Sequence, residues 1–570
     1  MLPRAPVSGR NTEGIILQKK YVALALLTLS QGAFAVQPLG AGSQIQQVPA
    51  SPTRQKTEPE IRVQPRSTAN VPAQNSARIK VNALRITGQT LYSEAELLKL
   101  TRFTAGNELS LGDLQTMAAR IADFYRQKGY FVAQAYLPAQ EIKDGVVSIA
   151  VMEGQYGAVT VRNQTNLSDR LARGPVDNLH SGDTINSGPL ESDLLLLSDT
   201  PGVEVRSTLV PGASVGAADL IVDVTPGQRV TGSIDADNGG NHYTGEYRLG
   251  GTLNINNLAG QGDVATLRAL SSFDGLDYAR AAYQMQFGKA TAGVAYSRLD
   301  YELGKEFSDL RANGTADIAS IYGSYPLLRS RRTNIYAQLG FDYKTFEDRI
   351  DSIPAHVDRK VEVLMATLRG DHRDDFGGGG LTAGSLTWST GNLDIQTPEA
   401  RAVDGLTART NGHYDKLGFS AMRLQRITDA FSLYGAVNGQ VASKNLDISE
   451  KMYLGGIDGV RAYPQGEAFG DEGYLATAEA RYLLPQFSQL RMGQLQLVSF
   501  VDTGTVTLNE NRWDGSDRTR TLSGAGVGVN WFETNNFSVK TYYAHKLGDE
   551  KSISAPDSSG RFWVQMVKYF

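Results

Sequence analysis

The 570-residue sequence has no cysteine and only six histidines. No disulfide framework and no thiolate metal site is available to it. The histidines are scattered, with no pair at metal-ligand spacing, so no metal is expected. Beyond the N-terminus there is no run of about 18 apolar residues, which excludes a spanning helix. A membrane β-barrel passes that test, because only every second residue of its strands need be apolar. There is no phosphate-cradling Gly-Lys-Ser/Thr loop. No local Ser/His/Asp or paired-carboxylate spacing occurs either, so neither a cofactor nor an enzyme is expected. His372-Arg373-Asp374 and Asp375-Phe376-Gly377 spell two kinase motifs, but they abut, and a kinase needs them apart to place a base and a metal ligand separately. Arg369-Gly370-Asp371 is a chance tripeptide at a strand end.

What is present is glycine (60 residues) and tyrosine, which outnumbers phenylalanine 25 to 19. Residues 1–35 have the three parts of a secretory signal. Lys19 and Lys20 are the basic end, Tyr21 to Leu29 is mostly apolar, and Ala33-Phe34-Ala35 is a small-x-small cleavage site at Ala33 and Ala35. Its removal takes four basic residues and one acidic one, and the net charge from −4 to −7. An acidic exported product does not suggest nucleic-acid binding. Residues 36–77 carry six prolines among Gln, Ser and Thr, which predicts an extended linker. Its longest proline-free run, Leu39 to Val48, leaves room for a short helix and not a long one.

Residues 78–154 read as β-α-α-β-β. Arg78 to Thr87 alternates as a strand. Ser93 with Glu96, then Ser110 with Asp113, are capping boxes that open two helices. Leu111, Leu114, Ala118, Ile121 and Tyr125 share one face of the second helix, which Gly129 ends. Tyr130 to Leu137 and Val146 to Val151 predict a closing strand pair. Residues 155–227 repeat the order, with strands at Gly157 to Arg162, Val203 to Val210 and Leu220 to Val224. Helices are predicted at Leu167 to Leu171 and Leu190 to Leu197.

From residue 228 to 570 the helical period vanishes. Ile335, Ala337, Leu339, Phe341 and Tyr343 alternate with Asn334, Tyr336, Gln338, Gly340 and Asp342, and similar segments recur between Gly/Asn/Asp turns. A membrane barrel puts the apolar set outward and the polar set toward water inside. At about 21 residues per strand and connection, this length predicts roughly 16 strands, wide enough for an aqueous channel. The fold class is therefore mainly β: a transmembrane antiparallel barrel preceded by two small α+β domains. On the last strand Phe562, Val564, Met566 and Phe570 share a face, and Lys568 departs from it.

Several motifs then point one way. They are Gly129-Tyr130, Pro138, Gln140, Gly145 and Glu153-Gly154; Pro201-Gly202-Val203, Pro211-Gly212 and Gly216; Asp237-Asn238-Gly239; and Asn257 to Asp263. With Val460-Arg461-Ala462-Tyr463 and Phe500-x-Asp502-x-Gly504, the chain resembles the outer-membrane transporters of two-partner secretion, the haemolysin secretion/activation and filamentous-haemagglutinin group. The resemblance covers residues 78–570 and implies two polypeptide-transport-associated (POTRA) domains in the periplasm. It implies export, and in some members activation, of a large secreted partner protein through the barrel. It further implies a monomer in outer-membrane lipid, inserted by the barrel-assembly machinery through the terminal aromatic strand. A long loop would fold into the lumen and bring Arg461 to Asp502. Alternation with Leu495, Leu497 and Val501 turns Asp502 inward. Arg offers the planar fork that a carboxylate accepts with two hydrogen bonds. Ala462 stands where the motif usually has Gly. A barrel-assembly factor of the same superfamily is the alternative; a plain porin has no use for residues 78–227.

Overall fold

The computed structural model describes residues 40–55, 59–64, 78–353, 355–488, 493–513 and 519–570. The expected cleavage site at Ala33 and Ala35 lies outside them.

The segment expected as an extended linker is built instead. A six-residue helix, Ala41–Gln46, is followed by coil to Gln55 and by strand β1 (Glu60–Val63). The first small unit then contains β2 (Arg78–Val81), β3 (Ala83–Thr87), β4 (Asn107–Ser110), β5 (Gln134–Tyr136) and β6 (Val146–Met152), with helices Glu94–Thr101 and Leu111–Gln127. Both capping boxes form: Ser93 accepts from Glu96 N, and Ser110 from Asp113 N. The strand predicted at Tyr130 to Leu137 shrinks to three residues. Gly129 turns at φ +91° and Tyr130 is drawn into an edge-on aromatic cluster with Tyr92 and Tyr125. Glu153 pins that corner, accepting from Thr90 N (2.8 Å), Leu91 N (2.9 Å) and Tyr125 Oη (2.8 Å). Leu84, Ile86, Leu97, Leu114, Ile121 and Ile149 form the core, each worth about 1.5–3 kcal/mol of burial.

The second unit has β7 (Gln155–Asn163), β8 (Val203–Pro211) and β9 (Ala217–Pro226), with helices Asp169–Arg173 and Ser187–Ser198. Its sheet order is β1-β8-β9-β7, so β1 adds a fourth strand, parallel to β8, from outside the predicted domain. The two units are joined where Gly129 O accepts from Ser187 N at 2.9 Å.

A closed barrel follows. Its first strands are β10 (Val230–Asp237), β11 (Arg248–Asn256), β12 (Val264–Ser271), β13 (Leu276–Phe287), β14 (Ala290–Glu302) and β15 (Ala312–Arg329). Next come β16 (Thr333–Ile350), β17 (Ala355–Asp374), β18 (Gly380–Ile395), β19 (Gly412–Arg426) and β20 (Phe431–Ala442). After a long loop holding the short pair β21 (Met452–Tyr453) and β22 (Phe469–Gly470) come β23 (Glu472–Leu483) and β24 (Gln494–Thr507). The last three are β25 (Thr519–Glu533), β26 (Phe537–Lys546) and β27 (Gly560–Tyr569). Leaving out β21 and β22, the strands pair in sequence order and β27 closes on β10, giving the sixteen-strand cylinder expected. The seam register runs from Ser233↔Tyr569 to Asp237↔Gln565. Asn238 laces it from both sides, donating to Phe562 O (2.8 Å) and accepting from Val564 N (2.7 Å).

The apolar set of each strand is exposed on the outer wall, as at Ile321, Leu339, Leu368 and Val527. Phe562, Met566 and Phe570 are exposed on that wall too, and Val564 partly so. Lys568 shares their face and bends to Asn536 Oδ1 in the adjacent turn, as a snorkelling lysine does. The Asn257–Asp263 turn docks the second unit: Asn257 Nδ2 donates to Asn166 Oδ1 at 2.8 Å and Asn166 Nδ2 to the backbone O of Asn257 at 2.9 Å. Arg329 adds an ion pair to Asp199 at 2.7 Å. The mouth bearing the small units is called the near mouth below.

The interior departs from the expected open, polar bore. Leu270, Leu299, Tyr301, Phe346, Val361, Leu393 and Ile395 point inward and pack together in the far half, with Ala41 of the short helix among them. These positions are apolar on an inward face because they meet protein and not water. Ala41 N donates to Asp348 Oδ1 (2.8 Å), Arg248 Nη1 to Gln47 O (2.9 Å), and Asn241 Nδ2 to Gln47 Oε1 (3.1 Å). At the near mouth Gln55 N donates to Asn535 Oδ1 (2.7 Å). Residues 40–55 therefore thread the bore from far half to near mouth. Among the described residues no helix is long and apolar enough to cross a membrane, which says nothing about the strands.

Candidate functional site

The loop between β20 and β23 turns inward and puts its tip against the barrel wall. Its stem is braced by Lys451–Asp471 (2.8 Å) and by an ion pair of Arg520 with the fully buried Glu467. The tip closes on itself: Val460 N donates to Leu454 O at 2.6 Å and Tyr463 N to Val460 O at 3.0 Å. Val460, Ala462 and Tyr463 are completely buried.

Arg461 is held on every side. Its Nε and Nη2 donate to Asp502 Oδ2 and Oδ1, both at 2.8 Å, the parallel fork that only guanidinium supplies. Its backbone N reaches Asp502 Oδ2 at 3.2 Å. The guanidinium carbon lies 3.4 Å from the Phe500 ring centre and 5.1 Å from that of Tyr542. Such stacking is favoured by the ring quadrupole, more so away from water. The carbonyl of Arg461 accepts from Trp563 Nε1 at 2.6 Å. Thus β24, β26 and β27 all contribute to one socket.

Sequence reasoning named Arg461, Asp502 and Phe500 for that socket and missed Glu479, Thr477, Tyr542 and Trp563. Glu479 on β23 pairs with Arg461 Nη1 at 2.8 Å and with Arg481 Nη2 at 2.7 Å. Arg481 in turn lies over Tyr434 at 4.2 Å. Two carboxylates and two guanidiniums leave the buried cluster near neutral, which a group with Arg461 only 5 % exposed and Asp502 at 0 % requires. The signal was parity: Leu475, Thr477, Glu479 and Arg481 share the inward face of β23, and Thr477 lies directly opposite Asp502. Thr477 Oγ1 donates to Asp502 Oδ1 at 3.0 Å.

Close approach explains the glycines. A Cβ on Gly504 would sit 2.8 Å from Leu454 Cδ2, so the motif's glycine leaves space for the loop. Ala462 is not among the described residues with positive φ, so it needs no glycine freedom. Its methyl is received by Gly524 of β25, where a Cβ would lie 2.5 Å from it. Among the described residues no group of three His, Cys, Asp or Glu could hold a metal ion.

Comparison with known proteins decides the family. A profile described as haemolysin secretion/activation protein ShlB/FhaC/HecB matches residues 216–531, and one for the ShlB-type POTRA domain matches residues 79–154. The chain belongs to the haemolysin secretion/activation family. Within that family it is similar to the heme/hemopexin transporter protein HuxB of Haemophilus influenzae, 31% identical over 482 residues, covering 83% of this chain and 84% of the relative. It is also similar to the outer membrane transporter CdiB of Dickeya dadantii, 24% identical over 462 residues, with 78% and 79% covered. The solved structure of CdiB from Escherichia coli superposes with a TM-score of 0.64 at 19% identity, over 99% of this chain and 100% of that one. BamA from Haemophilus ducreyi, lacking POTRA domains 1–3, gives 0.52 at 15% identity over 86% and 100%; at that identity the likeness is one of fold alone. Members of the haemolysin secretion/activation family are transporters. This one is an outer-membrane protein translocator of two-partner secretion, its barrel in the membrane and its POTRA domains at the periplasmic mouth.

Proposed function

We propose that residues 78–154 and 155–227 take up one large partner exoprotein, unfolded, in the periplasm and hand it to the barrel of residues 228–570. In this reading Arg461 and Asp502, with Val460 to Tyr463 and Phe500 to Gly504 around them, are the latch that holds the loop across the conduit. The observation that carries it is the way the bore is filled. The 40–55 segment and the loop occupy the lumen, and many of the contacts holding them are polar: Asp348 to Ala41, Arg248 to Gln47, Arg461 to Asp502. A polar contact has water and an incoming chain as substitutes, so such obstacles can be exchanged for cargo.

Capture works by an extended cargo segment lying along a strand or in a groove of the small units. With no nucleotide-binding loop, folding of the cargo outside is what opposes its return. The protein acts as a monomer. It reaches the outer membrane through the barrel-assembly machinery, which reads Phe562, Val564, Met566 and Phe570. The HuxB and CdiB relatives are named as a heme/hemopexin transporter and an outer membrane transporter; the cargo proposed for this chain is a large secreted protein, expected from the neighbouring open reading frame. Deletion of residues 78–227 tests the reading: secretion of that neighbour should cease while the barrel still assembles. Unchanged secretion would refute it. Loss of many outer-membrane proteins on depletion would favour a barrel-assembly factor instead.

A further inference from the structure

Beneath the loop tip lies a cavity of about 730 Å3, roofed by Ile457, Asp458, Gly459 and Arg461. Ligand sites run from roughly 300 to 1,000 Å3. No residue of the 40–55 segment lines it, so it is free while the bore is plugged. Its wall includes Arg369 near the end of β17, Arg481 near the end of β23 and Lys540 near the start of β26. Those strand ends lie at the periplasmic mouth, so the cavity is space that a chain entering from the periplasm meets early.

The cations are unequal. Arg481 is engaged by Glu479. Arg369 lies over the Tyr336 ring at 5.1 Å, and Lys540 borders the cavity beside Tyr542 and Gln565. Among the described residues neither Arg369 nor Lys540 has a carboxylate at ion-pair distance. Of the acids on the cavity surface, Asp371 accepts from Asn334 at 3.0 Å, and Asp458 belongs to the loop and leaves with it. One stretch of the wall is low, formed by Gly370, Ala383, Gly384, Ser385 and Ala421, while Met422, Tyr434 and Leu475 supply bulkier surface. We propose that this cavity is a first docking site for an extended polypeptide segment carrying acidic and aromatic side chains, with Arg369 and Lys540 taking its carboxylates and Tyr336 an aromatic ring. The inference rests on the translocator reading and names the part of the cargo that engages the lumen before the plug and loop move.

The test uses the full-length protein in detergent and two fluorescent twelve-residue peptides, one of Asp, Ser and Tyr, the other with Lys for Asp. The acidic peptide should bind more tightly. R369Q/K540Q should weaken it roughly ten-fold, the loss of two partly exposed charge contacts, and R369K/K540R should restore it. Heat-modifiable migration of each variant shows that the barrel is intact. Equal binding of both peptides, indifference to R369Q/K540Q, or equal displacement by inorganic phosphate at the peptide's concentration would overturn the site. Secretion of the neighbouring protein is scored in parallel. Wild-type secretion with insensitive peptide binding sinks the site and spares the translocator; sensitive binding without any secretion does the reverse.

Discussion

Replacing Arg461 with Ala should unlatch the loop without unfolding the barrel. The substitution deletes the two-pronged contact to Asp502, the contact to Glu479 and the stacking on Phe500. It leaves Asp502 fully buried with Thr477 as its one remaining side-chain partner among the described residues, whereas Glu479 keeps Arg481. Breaking a buried pair by removing one partner costs about 3–5 kcal/mol. The loop's apolar contacts survive: Leu454 against Gly504, Ala462 over Gly524, Tyr463 in the wall. So do the stem ion pairs. The closed arrangement should lose about 3–5 kcal/mol relative to the open one, and the open-to-closed ratio should rise roughly 150- to 5,000-fold. Single-channel recording of the full-length protein in planar bilayers reads this as open probability. R461K keeps the charge but cannot present the fork, so it should fall between wild type and R461A. If R461A opened no more often than wild type, or R461K matched wild type, the latch assignment would be wrong.

Four other outcomes follow from specific contacts. G524V places a branched side chain where only 2.5 Å separates a Cβ from the Ala462 methyl; overpacking of about 1–3 kcal/mol should raise open probability, and A462G should partly reverse it. D348A removes the acceptor of Ala41 N and Tyr301 Oη and the partner of Arg359. Because the chain has no native cysteine, a thiol introduced as S43C should then be labelled from outside at least ten-fold faster. Asp193 of the second periplasmic unit is pushed up to about 6 by burial, with Lys289 opposing. Its folded form therefore holds the proton where the unfolded one has lost it. That unit should lose stability as pH rises from about 4 to 6, and D193N should flatten the profile of its melting transition. F570S should lower the heat-modifiable fraction of newly made protein without shifting the melting point of what has assembled, if the terminal aromatic is an assembly signal.

The barrel was legible because its signal is repeated: strand after strand keeps a period of two, and the pattern needs no knowledge of partners. Both capping boxes were legible for a similar reason, being local. The segment 36–77 was not. Ala41–Gln46 has no apolar face; Ser43 is buried with its hydroxyl turned back to Gly40 O, Gln44 is buried accepting from Thr244 of the barrel, and in isolation such residues read as solvated linker. β1 is four residues long, and its partner edge lies more than 140 residues away. Arg461 and Asp502 could be paired from motifs. Glu479 could have been added by strand parity, but only after the register Thr477↔Asp502 was known. The apolar inward residues of the far half read as exceptions to alternation until the plug and loops that cover them are in place.

The central claim is that the exported chain passes through the lumen of this barrel. Leu368 and Arg369 are adjacent on β17, the first exposed on the outer wall and the second lining the cavity under the loop tip. A photo-crosslinking residue at either position, in cells secreting the neighbouring protein, separates inside from outside within one residue. Adducts to the secreted chain at position 369 and none at 368 are the expected result. Adducts at 368 alone, or at neither position during active secretion, would contradict the account.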